Sequence, residues 1–235
     1  MYWLLYDPFG EHCMVKIAPI SKETALANPF VNQCVCLMSH LAEADIKISK
    51  AGYMPPKIVE EMYRLGASDW WIDEHVKRIT EPKCETVQAA RIVLKLAGLI
   101  KERKGVMSLT AEGRKQLPQV EKVAHSVLDA ILNKFNKGYF DIFKDSQCGN
   151  AGVAYAVWLV HHFGDQWHDF DFYTQKYIAV LPTDDDPPAF ASRVLKRLFY
   201  YLGFVEFRMN QSTVPYITEV RKTPLIDVTF TYDEP

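Results

Sequence analysis

The chain lacks any Cys-x-x-Cys pair, and its five cysteines (Cys13, Cys34, Cys36, Cys84 and Cys148) are odd in number. Neither a zinc clip nor a disulfide framework is indicated, and the thiols read as reduced. Long apolar runs are missing too. The longest, around AYAVWLV at 154–160, is far shorter than the roughly 20 residues of a membrane span. The opening MYWLLYDPFGEHCMVK has no basic start followed by a long apolar stretch, so no signal peptide is read there. The expectation is a soluble, cytoplasmic protein with no membrane partner. Charge of one sign is not in excess: a formal net charge of -2 excludes a uniformly basic coat and leaves only local polarisation to attract nucleic acid. There is no GxGxxG, no Walker-type loop, no GxSxG and no HExxH, so nucleotide binding, serine hydrolysis and zinc proteolysis lack their usual supports. No acid, base and nucleophile group together, so the chain reads as a non-enzyme with no cofactor and no metal.

What is present is an ordinary globular composition, 49% hydrophobic and 24% charged over 235 residues, enough for one large domain or two ordinary ones. Residues 1–27 read as an N-terminal arm or hairpin, rich in aromatic and β-branched residues and broken by Asp7-Pro8 and Gly10. From Asn28-Pro29 the periodic run FVNQCVCLMSHLAEA is helical, with Pro29 in its first turn, and IKIS at 46–49 alternates like a short strand. KIVEEMYRLG follows as a second helix, with Ile58, Val59, Met62 and Leu65 on one face and Gly66 as its stop. DWWIDEHVKRI reads as a short helix or turn anchored by Trp70 and Trp71. A third helix covers Thr86 to Ala97, and LIKER and VMSLT form a β-hairpin around Lys104-Gly105.

The order helix, strand, helix, helix, hairpin is that of a winged helix, placed here over 28–117. Residues 118–136 form a long amphipathic connecting helix carrying Val120, Val123, Val127, Leu128, Ile131 and Phe135 at spacings of three and four. Residues 137–235 repeat the order more loosely: helices in GVAYAVWLVHHFG, DFYTQKYIAVL and AFASRVLKRLFYYLGFVEF, then two β-prone pieces around Thr223-Pro224. LFYYLGFVEF laid over IVLKLAGLIKE, at an offset of 105 residues, matches Gly203 to Gly98 and Val205 to Ile100. The fold class expected is therefore mainly α with short β-hairpins (α+β): two winged-helix-like modules, the second diverged.

The pieces NPFVNQ, IKISKAGYMPPKIVEEMY, TVQAARIVLKLAGLIKERKGVMSLTAEG and NKGYFD together resemble an uncharacterised bacterial family with a KAGxxPxK pattern followed by a winged-helix-like segment. The resemblance covers about residues 28–205. It implies a fold and brings no catalytic residues with it.

Double-stranded DNA is the partner this arrangement points to, as a transcriptional regulator would bind it. On the third helix Val87, Ala90, Val93, Leu94 and Ala97 turn to the core, leaving Gln88, Arg91 and Lys95 opposite, residue types suited to base edges and phosphates. Lys101, Arg103 and Lys104 at the wing suit phosphates. From Lys83 to Lys115 there are eight Lys or Arg against three Glu. In the second module Arg193 and Lys196 take the positions of Gln88 and Arg91, Tyr200 that of Lys95, and Arg197 adds a charge; from Pro188 to Lys222 six Lys or Arg face two Glu. The alternative is a protein-interaction or scaffold module: Phe199, Tyr200 and Tyr201 in a row cannot all be buried on one helical face, so aromatic surface is left for a partner or self-association.

Other groupings carry less. His161, Asp165 and His168 would align as metal ligands if their helix continued, but Gly164 ends it at Phe163, leaving surface polar groups around buried Trp158 and Trp167. Asp184, Asp185 and Asp186 read as a solvated loop before a helix. Lys50, Gly52 and Lys57 in SKAGYMPPK belong to a strand-to-helix turn more readily than to an anion cradle. Cys34 and Cys36 point to different helical faces, and neither has a reactive role.

Overall fold

The computed structural model describes residues 2–67, 79–143, 146–181, 187–210 and 217–233. The readings of DWWIDEHVKRI around Trp70 and Trp71, and of Asp184, Asp185 and Asp186, lie outside the described residues. The described chain is mixed α+β, helices with small antiparallel sheets, in two compact units: Ile20–Phe135, called the first unit here, and Met1–Pro19 together with Asn136–Pro235, the second.

The chain starts in the second unit with α1 (Tyr2–Tyr6) and β1 (Val15–Ile17). It then enters the first unit at α2 (Lys22–Ala27), capped by the Ser21 hydroxyl accepting from the Thr24 amide. Next comes α3 (Pro29–Glu43), where Asn28 Oδ1 accepts from the Phe30 and Val31 amides and Pro29 occupies the first turn. Phe30, Val31, Cys34, Leu37, Met38 and Leu41 bury one stripe of this helix, the three-and-four spacing that drives it to pack. After β2 (Ile46–Lys47) and α4 (Pro56–Leu65), a 3-10 turn at Glu81–Lys83 leads into α5 (Glu85–Leu96), which buries Val87, Ala90, Val93 and Leu94. The hairpin β3 (Ile100–Arg103) and β4 (Val106–Leu109) closes through Lys104 and Gly105, both at positive φ, the geometry of a two-residue type I′ turn. Thr110 caps α6 (Ala111–Gln116), and α7 (Val120–Asp129) continues as π-helix through Ala130–Lys134. The sheet order is β2-β4-β3.

In the second unit α8 (Val153–Phe163), β5 (His168–Asp169) and α9 (Phe170–Ile178) are followed by α10 (Pro187–Phe190), prolonged as π-helix over Ala191–Phe199. Then come β6 (Val205–Asn210), β7 (Ile217–Lys222), α11 (Pro224–Thr229) and β8 (Phe230–Tyr232). The sheet order is β5-β7-β6, the same pattern as in the first unit: a short strand, then the second hairpin strand, then the first.

The two units match most closely at the corner between helix and hairpin. Gly98 and Gly203 have φ of 71° and 70°. The next amides, Leu99 and Phe204, donate five residues back to Leu94 O and Phe199 O at 3.0 and 2.8 Å. The glycine carbonyls accept from the Thr110 and Thr223 hydroxyls at 2.7 and 2.6 Å, and each threonine caps the helix that follows its hairpin. A left-handed residue is needed at each corner, and glycine takes that conformation without a Cβ clash.

Several boundaries depart from the expectations. Residues 1–19 are not a separate arm: β1 pairs antiparallel with β8, Val15 with Tyr232 and Ile17 with Phe230, and Phe9 stacks on Phe230, which ties the start of the chain to its far end. The helix read over 118–136 packs inside the first unit, against α2 and α3, instead of standing between modules. The piece after Thr223-Pro224 is helical up to Thr229, because Thr223 caps it and Pro224 suits a first helical turn. Gly66 ends α4 in extended backbone; glycine fits there because a Cβ would lie 2.0 Å from the Gln33 amide nitrogen.

Candidate nucleic-acid interface

In the first unit the three strands sort the hairpin's charges by face. Cross-strand partners share a face, so Ile46, Met107, Glu102, Ile100 and Leu109 point to the core side, and Lys47, Val106, Arg103, Ser108 and Lys101 point outward. Lys47, Lys101, Arg103 and Lys104 are exposed, the last at the turn. None of them has an ion-pair partner among the described residues. The one acid of these strands, Glu102, is turned inward.

There it meets Arg91. Arg91 Nη2 donates to Glu102 Oε2 at 2.7 Å, and Nη1 donates to Glu81 Oε1 and to the Gly52 carbonyl, each at 2.8 Å. The Arg91 side chain is 11% exposed and that of Glu81 4%. Burial works against the guanidinium charge, but the bonds to Glu102 and Glu81 outweigh it and hold the Arg91 pKa above its ordinary value. Burial likewise raises the Glu102 carboxyl, and the Arg91 bond and charge, with Lys95, bring it below the usual range. Glu81 Oε2 also accepts from the Met54 amide at 2.6 Å, and the Glu81 carbonyl accepts from Gln88 Nε2 at 2.9 Å.

These contacts correct the expected groove-reading face of α5. Arg91 is committed to an internal network, Gln88 gives its amide to the backbone, and Lys95 stays exposed but leans on Glu102 at 3.5 Å. Exposed polar positions on a helix are available to a ligand only when nothing in the fold claims them. Here Glu81, which precedes α5 in the 3-10 turn, claims the centre of the stripe. The SKAGYMPPK segment is a turn, as read: Gly52 has φ of 86°, its amide donates to Ser49 O, and its carbonyl is held by Arg91.

The second unit does not repeat the basic face. Arg193 is 2% exposed and Asp141 4%. Its guanidinium donates to both Asp141 oxygens at 2.6 and 2.9 Å and to the carbonyls of Phe143, Ser146 and Cys148. Lys196 lies over the Phe170 ring at 5.0 Å, and burial, with Arg197 nearby, pushes its pKa down. Arg197 bonds Ser192 and the Phe140 carbonyl. On the hairpin, Arg221 pairs with Glu206 and Arg208 with Glu219, and both guanidinia cover the Trp167 ring. The count of six cations is correct, but their charge is spent inside the unit.

The aromatic row is also inside. Phe199 and Tyr201 are buried, and Tyr200 is half-buried and stacked on Phe207 at 4.8 Å. Counting faces at 3.6 residues per turn fails here because the preceding stretch is π-helical, with hydrogen bonds reaching five residues back. The reading of exposed aromatic surface is therefore corrected.

Around HHFGDQWHDFD the helix ends at Phe163 with Gly164 as its cap, as read. His161 Nδ1 lies 2.6 Å from Asp227 Oδ1, Lys222 bridges Asp165 and Asp227 at 3.1 and 3.2 Å, and His168 stacks on Phe172. Burial lowers the Lys222 ammonium, and the two aspartates more than restore it, leaving its pKa raised. This is a charge-compensated tie between α8, β7 and α11; the adjacent Thr223 hydroxyl is used by Gly203 O. Trp158 and Trp167, expected to be buried, are half-exposed.

The member of the basic face that the sequence reading missed is Lys47, which lies across Val106 from Arg103. The alternation in IKIS contains it, but its place beside the wing depends on which strand IKIS pairs with. No helix among the described residues is long and apolar enough to cross a membrane. Comparison of the chain with known protein families, with curated proteins and with solved structures found no match to any of them.

Proposed function

We propose that the chain binds double-stranded DNA through the outward face of the β2-β4-β3 sheet, acting as a winged-helix-like module whose wing, not its third helix, makes the contacts. The observation that carries this reading is the one-signed sheet face: Lys47, Lys101 and Arg103, with Lys104 at the turn, unpaired among the described residues, and Glu102 turned away. Lysine and arginine on a projecting hairpin neutralise phosphates and release counterions, which supplies most of the affinity for duplex DNA without reading its sequence. The element order of both units, helix, short strand, helix, helix, hairpin, supports the winged-helix-like reading. The second unit serves as a structural companion, because its hairpin cations are already paired. The protein-interface alternative loses its aromatic ground, since Phe199 and Tyr201 are buried.

Lysine acetylation footprinting tests the reading directly. With duplex DNA present, Lys47, Lys101 and Lys104 become protected while Lys22 on α2 and Lys122 on α7 stay reactive. Equal protection at all five positions, or none, contradicts it.

A further inference from the structure

A second site lies in the first unit, on helices α3 and α4. Cys36 and His40 stand four residues apart on α3 and so share one face of the helix, and Glu61 of α4 meets them there. One ligand atom from each, a thiol sulfur, an imidazole nitrogen and a carboxylate oxygen, lies within 4.8 Å of the other two. His40 Nε2 and Glu61 Oε2 are already 2.6 Å apart. All three side chains are half-buried, and Cys36 and His40 open onto a groove that Ser39 and Glu43 also line.

We propose that Cys36, His40 and Glu61 form a binding site for a zinc-class divalent ion, with a fourth position open to the groove and filled by water. Sulfur and imidazole donors together select zinc or cobalt over magnesium or calcium, which require oxygen. Bond lengths of about 2.0–2.3 Å place tetrahedral ligand atoms roughly 3.3–3.7 Å apart, so small side-chain rotations bring this cluster into register. Burial and the charge of Glu61 hold the Cys36 thiol pKa up, so the site without metal carries a neutral thiol. On binding, the ion takes the thiolate electron pair and the proton leaves to solvent. Glu43, three residues beyond His40 and exposed at the groove rim, lowers the local potential for a cation. The site uses none of the wing residues and is independent of the DNA reading.

The experiment is a cobalt titration of the tag-free full chain, followed by displacement with zinc. The expected result is one equivalent of cobalt giving a near-ultraviolet thiolate-to-cobalt charge-transfer band with the strong visible bands of a four-coordinate site, both bleached by zinc. Cys36→Ser abolishes the charge-transfer band with an unchanged circular dichroism spectrum. His40→Gln and Glu61→Gln each weaken binding by more than about a hundredfold, beyond the 10–100-fold cost of disturbing outer-sphere partners. Should Cys36→Ser fail to fold, the wild-type band and the His40→Gln titration carry the test. A wild-type protein without the band, or a Cys36→Ser variant that keeps it, overturns the proposal.

Discussion

Arg91 and Glu81 form an ion pair inside the first unit, with Nη1 of one 2.8 Å from Oε1 of the other and both side chains largely removed from water. The pair joins α5 to the 3-10 turn that precedes it, and the second arm of the guanidinium reaches Glu102 on the hairpin. A residue whose type and spacing fit a DNA reader is thus a fastener between three elements. Arg91→Ala leaves Glu81 buried without its partner, a class of change that costs about 3–5 kcal/mol. Native-state hydrogen exchange of the α5 amides measures this loss. The salt dependence of DNA binding by the variant's folded fraction stays at the wild-type value.

Glu102 gives the same network a pH signature. Its carboxyl is held below the usual range when folded, so as pH falls below about 4.5 the unfolded chain takes up a proton first. The contribution of Glu102 is therefore fully present above that pH and is lost as pH drops through the folded value. Urea unfolding of wild type and Glu102→Gln, from neutral pH to roughly pH 3, is expected to show a stability gap at neutrality that closes in acid. A gap that stays constant across the range rules out the inward pairing.

Arg193 uses its donors on Asp141 and three backbone carbonyls. Lysine has three donors and no fork, so Arg193→Lys keeps the charge but leaves acceptors unpaired, at about 1–3 kcal/mol each. The expected outcome is a lower unfolding temperature with DNA affinity unchanged. Unaltered stability contradicts the buried assignment.

At Gly98, a Cβ would meet nothing within 4 Å, yet the backbone sits at φ of 71°. Any cost of Gly98→Ala is then conformational, about 1–2 kcal/mol, and Gly98→Asn costs less because asparagine tolerates the left-handed region. Urea unfolding of the two variants distinguishes this account from steric crowding, which would penalise asparagine more than alanine.

Much of the architecture was legible because it depends on local chemistry. Pro29 after Asn28, the Lys104-Gly105 turn and Gly98 at a corner each need only their neighbours to be read. The pairing of the Gly98 and Gly203 corners shows in the text of the chain for the same reason. Pairings across long sequence separations were not legible: Val15 finds Tyr232, Arg193 finds Asp141, and Lys47 finds the wing only through strand register. The basic counts of both halves were correct, but a count does not say which cations a fold neutralises. Cys36, His40 and Glu61 escaped notice because Glu61 lies on a different helix. The i, i+4 spacing of Cys36 and His40 was the one signal on the page for it.

The most direct test of the wing is fluorescence anisotropy of the full chain with a labelled duplex, titrated across salt. The wild type is compared with a variant carrying Lys47→Gln, Lys101→Gln, Arg103→Gln and Lys104→Gln, and with Arg208→Gln/Arg221→Gln. Four phosphate contacts predict a slope of log affinity against log salt of about -3 to -4 for the wild type and the second-unit variant, falling near zero in the wing variant. No binding at low salt, or a slope that survives loss of all four wing cations, would contradict the account.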